Sequence, residues 1–147
     1  MCVLYLGGEF DERNNMPQLS KLLRVLVVDD EFIIASTLAT ILQRNGFDAV
    51  FFTEPLEVLK DAEKTTPDLL ISDVMMPRIT GVDLAMLMRK RYPGCKVLLF
   101  SGQAATADLL EAARGKGHNF EVLTKPIHPA EFLRKIKSVT DAPLATA

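Results

Sequence analysis

Apolar residues between positions 24 and 138 fall into short unbroken runs that take turns with longer stretches of helical spacing. Val25-Leu26-Val27-Val28 is a β-branched-rich run that stops at Asp29-Asp30. From Phe32 to Arg44 the apolar positions Ile34, Leu38, Ile41 and Leu42 recur at helical intervals, and Gly46 is placed to end that helix. Ala49 to Phe52 predicts a second strand, and Pro55 suits the first turn of a helix reaching about Lys64. Asp68-Leu69-Leu70-Ile71-Ser72 predicts a third strand that ends at Asp73. Leu84, Leu87 and Met88 set a helical period from Val82 to Arg91, which Pro93-Gly94 stops. Lys96 to Phe100 predicts a fourth strand running into Ser101-Gly102. A helix over about Ala104 to Arg114 and a turn-rich Gly115 to Asn119 follow. Phe120 to Thr124 predicts a fifth strand ending at Lys125-Pro126, and Pro129 opens a last helix through Phe132, Leu133 and Ile136.

Five strands thus alternate with five helices. Strands one, three and four are apolar almost throughout, as expected where helices cover both faces of a parallel sheet. With right-handed crossovers this predicts an α/β fold, a three-layer, doubly wound, five-stranded parallel sheet over residues 21–139. Residues 140–147 read as a tail of small residues. Residues 1–20 do not share the periodic pattern, and two readings of this extension stay open: an ordered arm or partner-binding segment, disordered on its own, or a gene start at Met16 with the earlier residues not native. The second is preferred.

Composition narrows the field without changing it. At 147 residues and 48% hydrophobic the chain suits one globular domain. A net charge of −2 gives no reason to expect nucleic-acid binding. The cluster Arg89-Lys90-Arg91 suits a solvated helix end. Cys2 and Cys95 lack metal-ligand spacing and point to a reducing cytoplasm. No basic leader precedes the short apolar start, and no run approaches the ~20 residues that cross a bilayer.

In an open parallel sheet, ligands bind beyond the carboxyl ends of the strands, where strand order reverses. Those ends here carry Asp29-Asp30, Asp73, Ser101 and Lys125. Each has a plainer reading: Asp30 as a helix cap, Asp73 as the start of a loop, Ser101-Gly102 as a turn pair, Lys125 as a solvated charge. Taken together the plain readings fail, because three crowded carboxylates repel and something must neutralise them. Oxygen donors without His or Cys suit a hard divalent ion, and Mg²⁺ leaves room for a substrate phosphate. A metal beside a carboxylate, a hydroxyl and an ammonium makes a phosphoryl site, in which an aspartate oxygen attacks in line.

The segments Val27-Val28-Asp29-Asp30-Glu31, Ile71-Ser72-Asp73-Val74-Met75-Met76-Pro77 with Gly81, Phe100-Ser101-Gly102 and Leu123-Thr124-Lys125-Pro126 resemble the four signature blocks of response-regulator receiver domains. The blocks occur in order over about Arg24 to Ser138. The resemblance implies the flavodoxin-like strand order 2-1-3-4-5 of the chemotaxis receivers. It implies that Asp73 accepts a phosphoryl group from a sensor histidine kinase or a histidine phosphotransfer protein. It further implies that Asp30 binds Mg²⁺ directly, that Asp29 helps through water, and that the Met75 backbone carbonyl is another ligand, with Asp73 itself completing the metal set. Ser101 is then the switch hydroxyl, Lys125 contacts the phosphoryl group, and the Lys125–Pro126 peptide is expected to be cis.

The chain also departs from the family pattern. Receivers often carry Tyr or Phe three positions before the lysine, whereas Val122 stands there. Phe120 points to the same face two residues earlier, so the aromatic relay is either displaced or missing. Met75 and Gln103 occupy the positions that tune phosphate lifetime. The leading expectation is a stand-alone, phosphorylation-dependent signalling module, catalysing only its own Mg²⁺-dependent phosphoryl transfer and autodephosphorylation. Output would pass through a downstream protein, a homodimer or onward phosphoryl transfer. A receiver fragment of a longer regulator is one alternative, and a Mg²⁺-dependent phosphohydrolase another, although the latter wants D-x-D where this chain has Asp29-Asp30-Glu31. A flavin or nucleotide binder lacks the glycine-rich phosphate loop it would need.

Overall fold

The structure, a computed structural model, describes residues 9–11, 16–18, 22–102 and 106–141. Two short strands, β1 (Glu9–Asp11) and β2 (Met16–Gln18), pair antiparallel, an element the hydropathy pattern does not announce. The domain proper follows as β3 (Arg24–Val28), α1 (Phe32–Arg44), β4 (Asp48–Phe52), α2 (Pro55–Lys64), β5 (Leu69–Asp73), α3 (Gly81–Arg91), β6 (Lys96–Ser101), α4 (Thr106–Gly115), β7 (Glu121–Thr124) and α5 (Pro129–Asp141). The five strands from β3 onward are parallel in the order β4-β3-β5-β6-β7, the predicted 2-1-3-4-5. Gln103, most of residues 1–20 and the tail from 142 onward lie outside the described residues.

The unbroken apolar runs follow from burial on both faces. Val25, Val27, Leu69, Ile71, Leu98 and Phe100 face one way and pack with Leu38 and Leu42 of α1 and Phe132 and Ile136 of α5. Leu26, Val28, Leu70, Val97 and Leu99 face the other way, against Val58 of α2, Leu84 and Met88 of α3 and Ala113 of α4. Successive strand residues point to opposite faces, so a strand covered twice has no polar position to spare. Local signals end the helices where expected. Gly46 takes φ 91 beyond α1, a left-handed turn that costs glycine nothing. The Thr80 side chain caps α3 by accepting from Asp83 N–H at 3.1 Å.

The fifth strand differs from expectation by one residue, since β7 begins at Glu121 and not at Phe120. The Phe120 ring stacks on His118 at 5.8 Å between centroids and lies 4.5 Å from the Arg89 guanidinium carbon. Arg89 also donates to the Asn119 carbonyl at 3.1 Å. The stretch before β7 is thereby tied to α3, and strand pairing starts only after it. Phe120 and Val122 both pack on the α2–α3 side of the sheet.

Cys95 leads into β6 with 2% exposure, and burial, with the Asp68 charge adding to it and Arg89 opposing, pushes its thiol up to about 12. In the unfolded chain the thiol ionises from its ordinary 9.0, so above that pH the unfolded state sheds a proton that the folded state keeps. Stability must therefore fall as pH rises through this window. In urea unfolding, the stability gap between wild type and Cys95→Ala is expected to narrow by about 1 kcal/mol between pH 9 and 10. An unchanged gap would mean that Cys95 ionises in the folded protein as it does in water.

Candidate functional site

The carboxyl ends of β3, β5, β6 and β7 deliver the predicted residues to one rim of the sheet. Asp29 directly follows β3 and is fully buried, while its neighbour Asp30 is exposed. Asp29 Oδ1 accepts from the Glu31 backbone N–H at 2.9 Å. Asp73 is the last residue of β5 and Ser101 the last of β6, each 8% exposed. Lys125 follows β7, and its backbone N–H donates to the Ser101 carbonyl at 2.9 Å. Its ammonium lies 3.2 Å from Asp29 Oδ2 and 3.3 Å from Asp73 Oδ1. The Lys125–Pro126 peptide is cis, as expected.

The site holds more negative charge than Lys125 offsets. Carboxylate oxygens of Asp29, Asp30 and Asp73 all lie within 4.8 Å of one another. Burial first, and then the Asp29 charge, push the Asp73 carboxyl up, against the downward pull of Lys125. Burial works to lower the Lys125 ammonium, but Asp29 and Asp73 outweigh it and the group is held above its ordinary value. For Asp73, burial and the neighbouring like charge together outweigh an ammonium in contact. An all-oxygen donor set this compact fits a small hard divalent cation, which would relieve the crowding. Met75, whose carbonyl was expected among the ligands, lies on the loop after Asp73 with its side chain exposed.

Two features of the site were not legible as such in the sequence. Gly81, the first residue of α3, packs on the Asp73 peptide so closely that an added Cβ would stand 2.1 Å from the Asp73 carbonyl oxygen and 2.9 Å from its carbonyl carbon. Its N–H donates to the Val74 carbonyl at 2.8 Å. The glycine stood in the signature block without a reason, and the close approach supplies one. The second feature is Thr106, the first residue of α4, whose buried side-chain hydroxyl is hydrogen-bonded to that of Ser101. A hydroxyl residue at the start of a helix shortly after Ser101 was the only available signal, and it is a weak one.

A profile of the response regulator receiver domain matches residues 25–137, and the chain belongs to that family. Receiver domains are signalling modules that interact with histidine kinases or phosphotransfer proteins. Among curated relatives, the chain is 29% identical over 116 residues to the alkaline phosphatase synthesis transcriptional regulatory protein PhoP of Bacillus subtilis, covering 79% of this chain and 48% of that protein. It is 31% identical to the transcriptional regulatory protein CreB of Escherichia coli, over 78% of this chain and 49% of CreB. The chain thus spans about half the length of the curated relatives it matches. A CheY-like receiver domain protein from Methanospirillum hungatei superposes with a TM-score of 0.74 at 26% identity, covering 82% of this chain and 95% of that one. The response regulator TrrA of Thermotoga maritima, solved in complex with Mg²⁺-BeF, gives 0.69 at 29% identity, over 80% and 99% of the two chains. Among the described residues no helix is long and apolar enough to cross a membrane.

The Gly81 contact yields a test of how firmly Asp73 is held. Gly81→Ala is expected to lower stability by about 1–3 kcal/mol, since backbone and not a flexible side chain must yield. Gly94→Ala, where nothing lies within 4 Å of the new carbon, should be close to neutral in the same urea titration. Equal behaviour of the two variants would show that the loop after Asp73 moves freely.

Proposed function

We propose that this receiver accepts a phosphoryl group on Asp73 from a histidine kinase or a histidine phosphotransfer protein, and signals by the change of conformation that follows. The observation that carries this reading is the Lys125 ammonium in contact with both Asp29 and Asp73, inside a cluster that also contains Asp30. An Asp73 carboxylate oxygen would attack phosphorus in line, forming the O–P bond as the P–N bond to the donor histidine breaks and its electron pair leaves with the imidazole. Lys125 would turn from the carboxylate to an equatorial phosphoryl oxygen, and Ser101 would donate its hydroxyl to another. Asp29, Asp30, Asp73 and the Met75 carbonyl are the groups to hold Mg²⁺, which supplies charge neutralisation to the phosphoryl oxygens when bound.

The surface beside Asp73 suits a protein phosphodonor. A groove of about 670 Å³ begins at Gly102, Lys125 and Pro126 and runs between Ile33, Ile41 and Phe132. Phe32 and Ile33 are 62% and 75% exposed at the start of α1. Apolar exposure beside a charged rim is what a docking protein would cover. The buried free thiol of Cys95 suits the reducing cytoplasm in which this reading places the protein. The chain acts either as a stand-alone receiver or as the receiver part of a longer regulator. The second reading is favoured by relatives about twice as long as the stretch they share with it. Output then goes to a downstream protein, a second copy or a further phosphoryl acceptor.

Intact-mass measurement after treatment with acetyl phosphate and Mg²⁺ tests the acceptor. One phosphoryl adduct is expected on the wild type and none on Asp73→Asn; an adduct retained by the variant would move the acceptor elsewhere. For the metal, Asp30→Asn should weaken Mg²⁺ binding roughly tenfold or more in a calorimetric titration. An unchanged affinity would remove Asp30 from the ligand set.

A further inference from the structure

The hydroxyl of Ser101 already has a partner in the described structure, and that partner stands on a different element. Ser101 ends β6, where the neighbouring residue Phe100 lies opposite Asp73 in the β5–β6 register. Its carbonyl is held by the Lys125 N–H. The main chain at Ser101 is therefore fixed within the sheet. The Ser101 side chain is hydrogen-bonded to the hydroxyl of Thr106, and both residues are buried. Thr106 is the first residue of α4, among backbone N–H groups that have no acceptor within the helix.

The helix α4 is also lightly anchored. It fully buries only Thr106 and Ala113, with Leu109 and Leu110 half-buried against the core, whereas α2 on the same face buries Pro55, Val58 and Ala62, and α3 buries Gly81, Val82, Leu84, Ala85 and Met88. The Thr106 hydroxyl is thus one of the contacts, beside Leu109 and Leu110, that tie the start of α4 to the rest of the domain. A helix end whose apolar side chains are only half-buried is the kind of segment that opens first.

We propose that Thr106 holds the Ser101 hydroxyl in the unphosphorylated protein and is the partner Ser101 gives up when Asp73 is phosphorylated, which releases the first turn of α4. This rests on the reading of Asp73 as phosphoacceptor. A serine hydroxyl has a single proton, and a phosphoryl oxygen can only accept. Whichever hydroxyl donates at present, turning Ser101 Oγ toward Asp73 breaks its contact with Thr106. The exchange is downhill, because a hydrogen bond to a charged oxygen is roughly twice as strong as one between neutral groups. No aromatic side chain at position 122 competes for this role. Val122 stands there, and Phe120 is engaged with His118 and Arg89 on the α3 side. Thr106 is therefore a positioning residue that converts a rotation of Ser101 into a movement of α4.

The test uses the full chain with beryllofluoride and Mg²⁺ as the phosphoryl mimic. Hydrogen exchange at the first-turn amides of α4 is expected to speed up at least fivefold in the wild type when the mimic binds. Thr106→Val should exchange fast at that turn without the mimic, and should bind it about three- to tenfold more tightly, the size of one neutral hydrogen bond no longer given up. Thr106→Ser should restore both wild-type values. In a Ser101→Ala background the Thr106→Val effect on affinity should vanish, which a purely structural role of Thr106 would not produce. If Thr106→Val fails to fold, Ser101→Ala alone decides, since it must speed exchange at the start of α4 in the absence of the mimic. Wild-type protein that takes up the mimic with α4 unmoved, or a Thr106 effect that survives in Ser101→Ala, overturns the proposal and leaves the acceptor assignment standing. Failure of the wild type to take up either the mimic or a phosphoryl group from acetyl phosphate overturns both.

Discussion

One ammonium shared between two carboxylates at the rim of a parallel sheet is the interaction on which the rest of the molecule is organised. Asp29 is fully buried, and a buried carboxylate is tolerated only with a charge partner and hydrogen bonds. Lys125 provides the first, and the Glu31 N–H a share of the second. Asp73 draws on the same ammonium from the next strand, and still its carboxyl is pushed up. The rim is therefore under-neutralised, a condition that a hard divalent cation would relieve.

The fold makes this possible by separating rigid parts from yielding ones. The strands that lead to Asp29 and end at Asp73 and Ser101 are buried on both faces, which holds their carboxyl ends in place. Gly81 packs on the Asp73 peptide and seats the start of α3 directly against it. By contrast α4 fully buries only Thr106 and Ala113, with Leu109 and Leu110 half-buried against the core, and Thr106 is bonded to Ser101.

Membership of the receiver family sets the type of site but not the route by which this chain reports on it. The tie between Arg89 and the Asn119–Phe120 segment joins α3 to the lead-in of β7, with an aromatic residue at 120 and valine at 122. The output face of this chain is accordingly expected to differ from that of receivers with an aromatic residue three positions before the lysine.

Element order, double-sided burial and the placement of Asp29-Asp30, Asp73, Ser101 and Lys125 just beyond strand ends were legible from the sequence alone. Those properties depend on neighbours a few residues away, where period and turn chemistry are decided. Only the tertiary structure decided which member of the Asp29-Asp30 pair is buried, since that depends on a lysine 96 positions along the chain from Asp29. It likewise decided why residue 81 is glycine, that the Ser101 hydroxyl meets Thr106, and that Arg89 packs over Phe120 ahead of the strand. Each of these is a meeting of side chains or backbone from different elements, and no local pattern records which distant groups the packing of helices on a sheet will bring within reach.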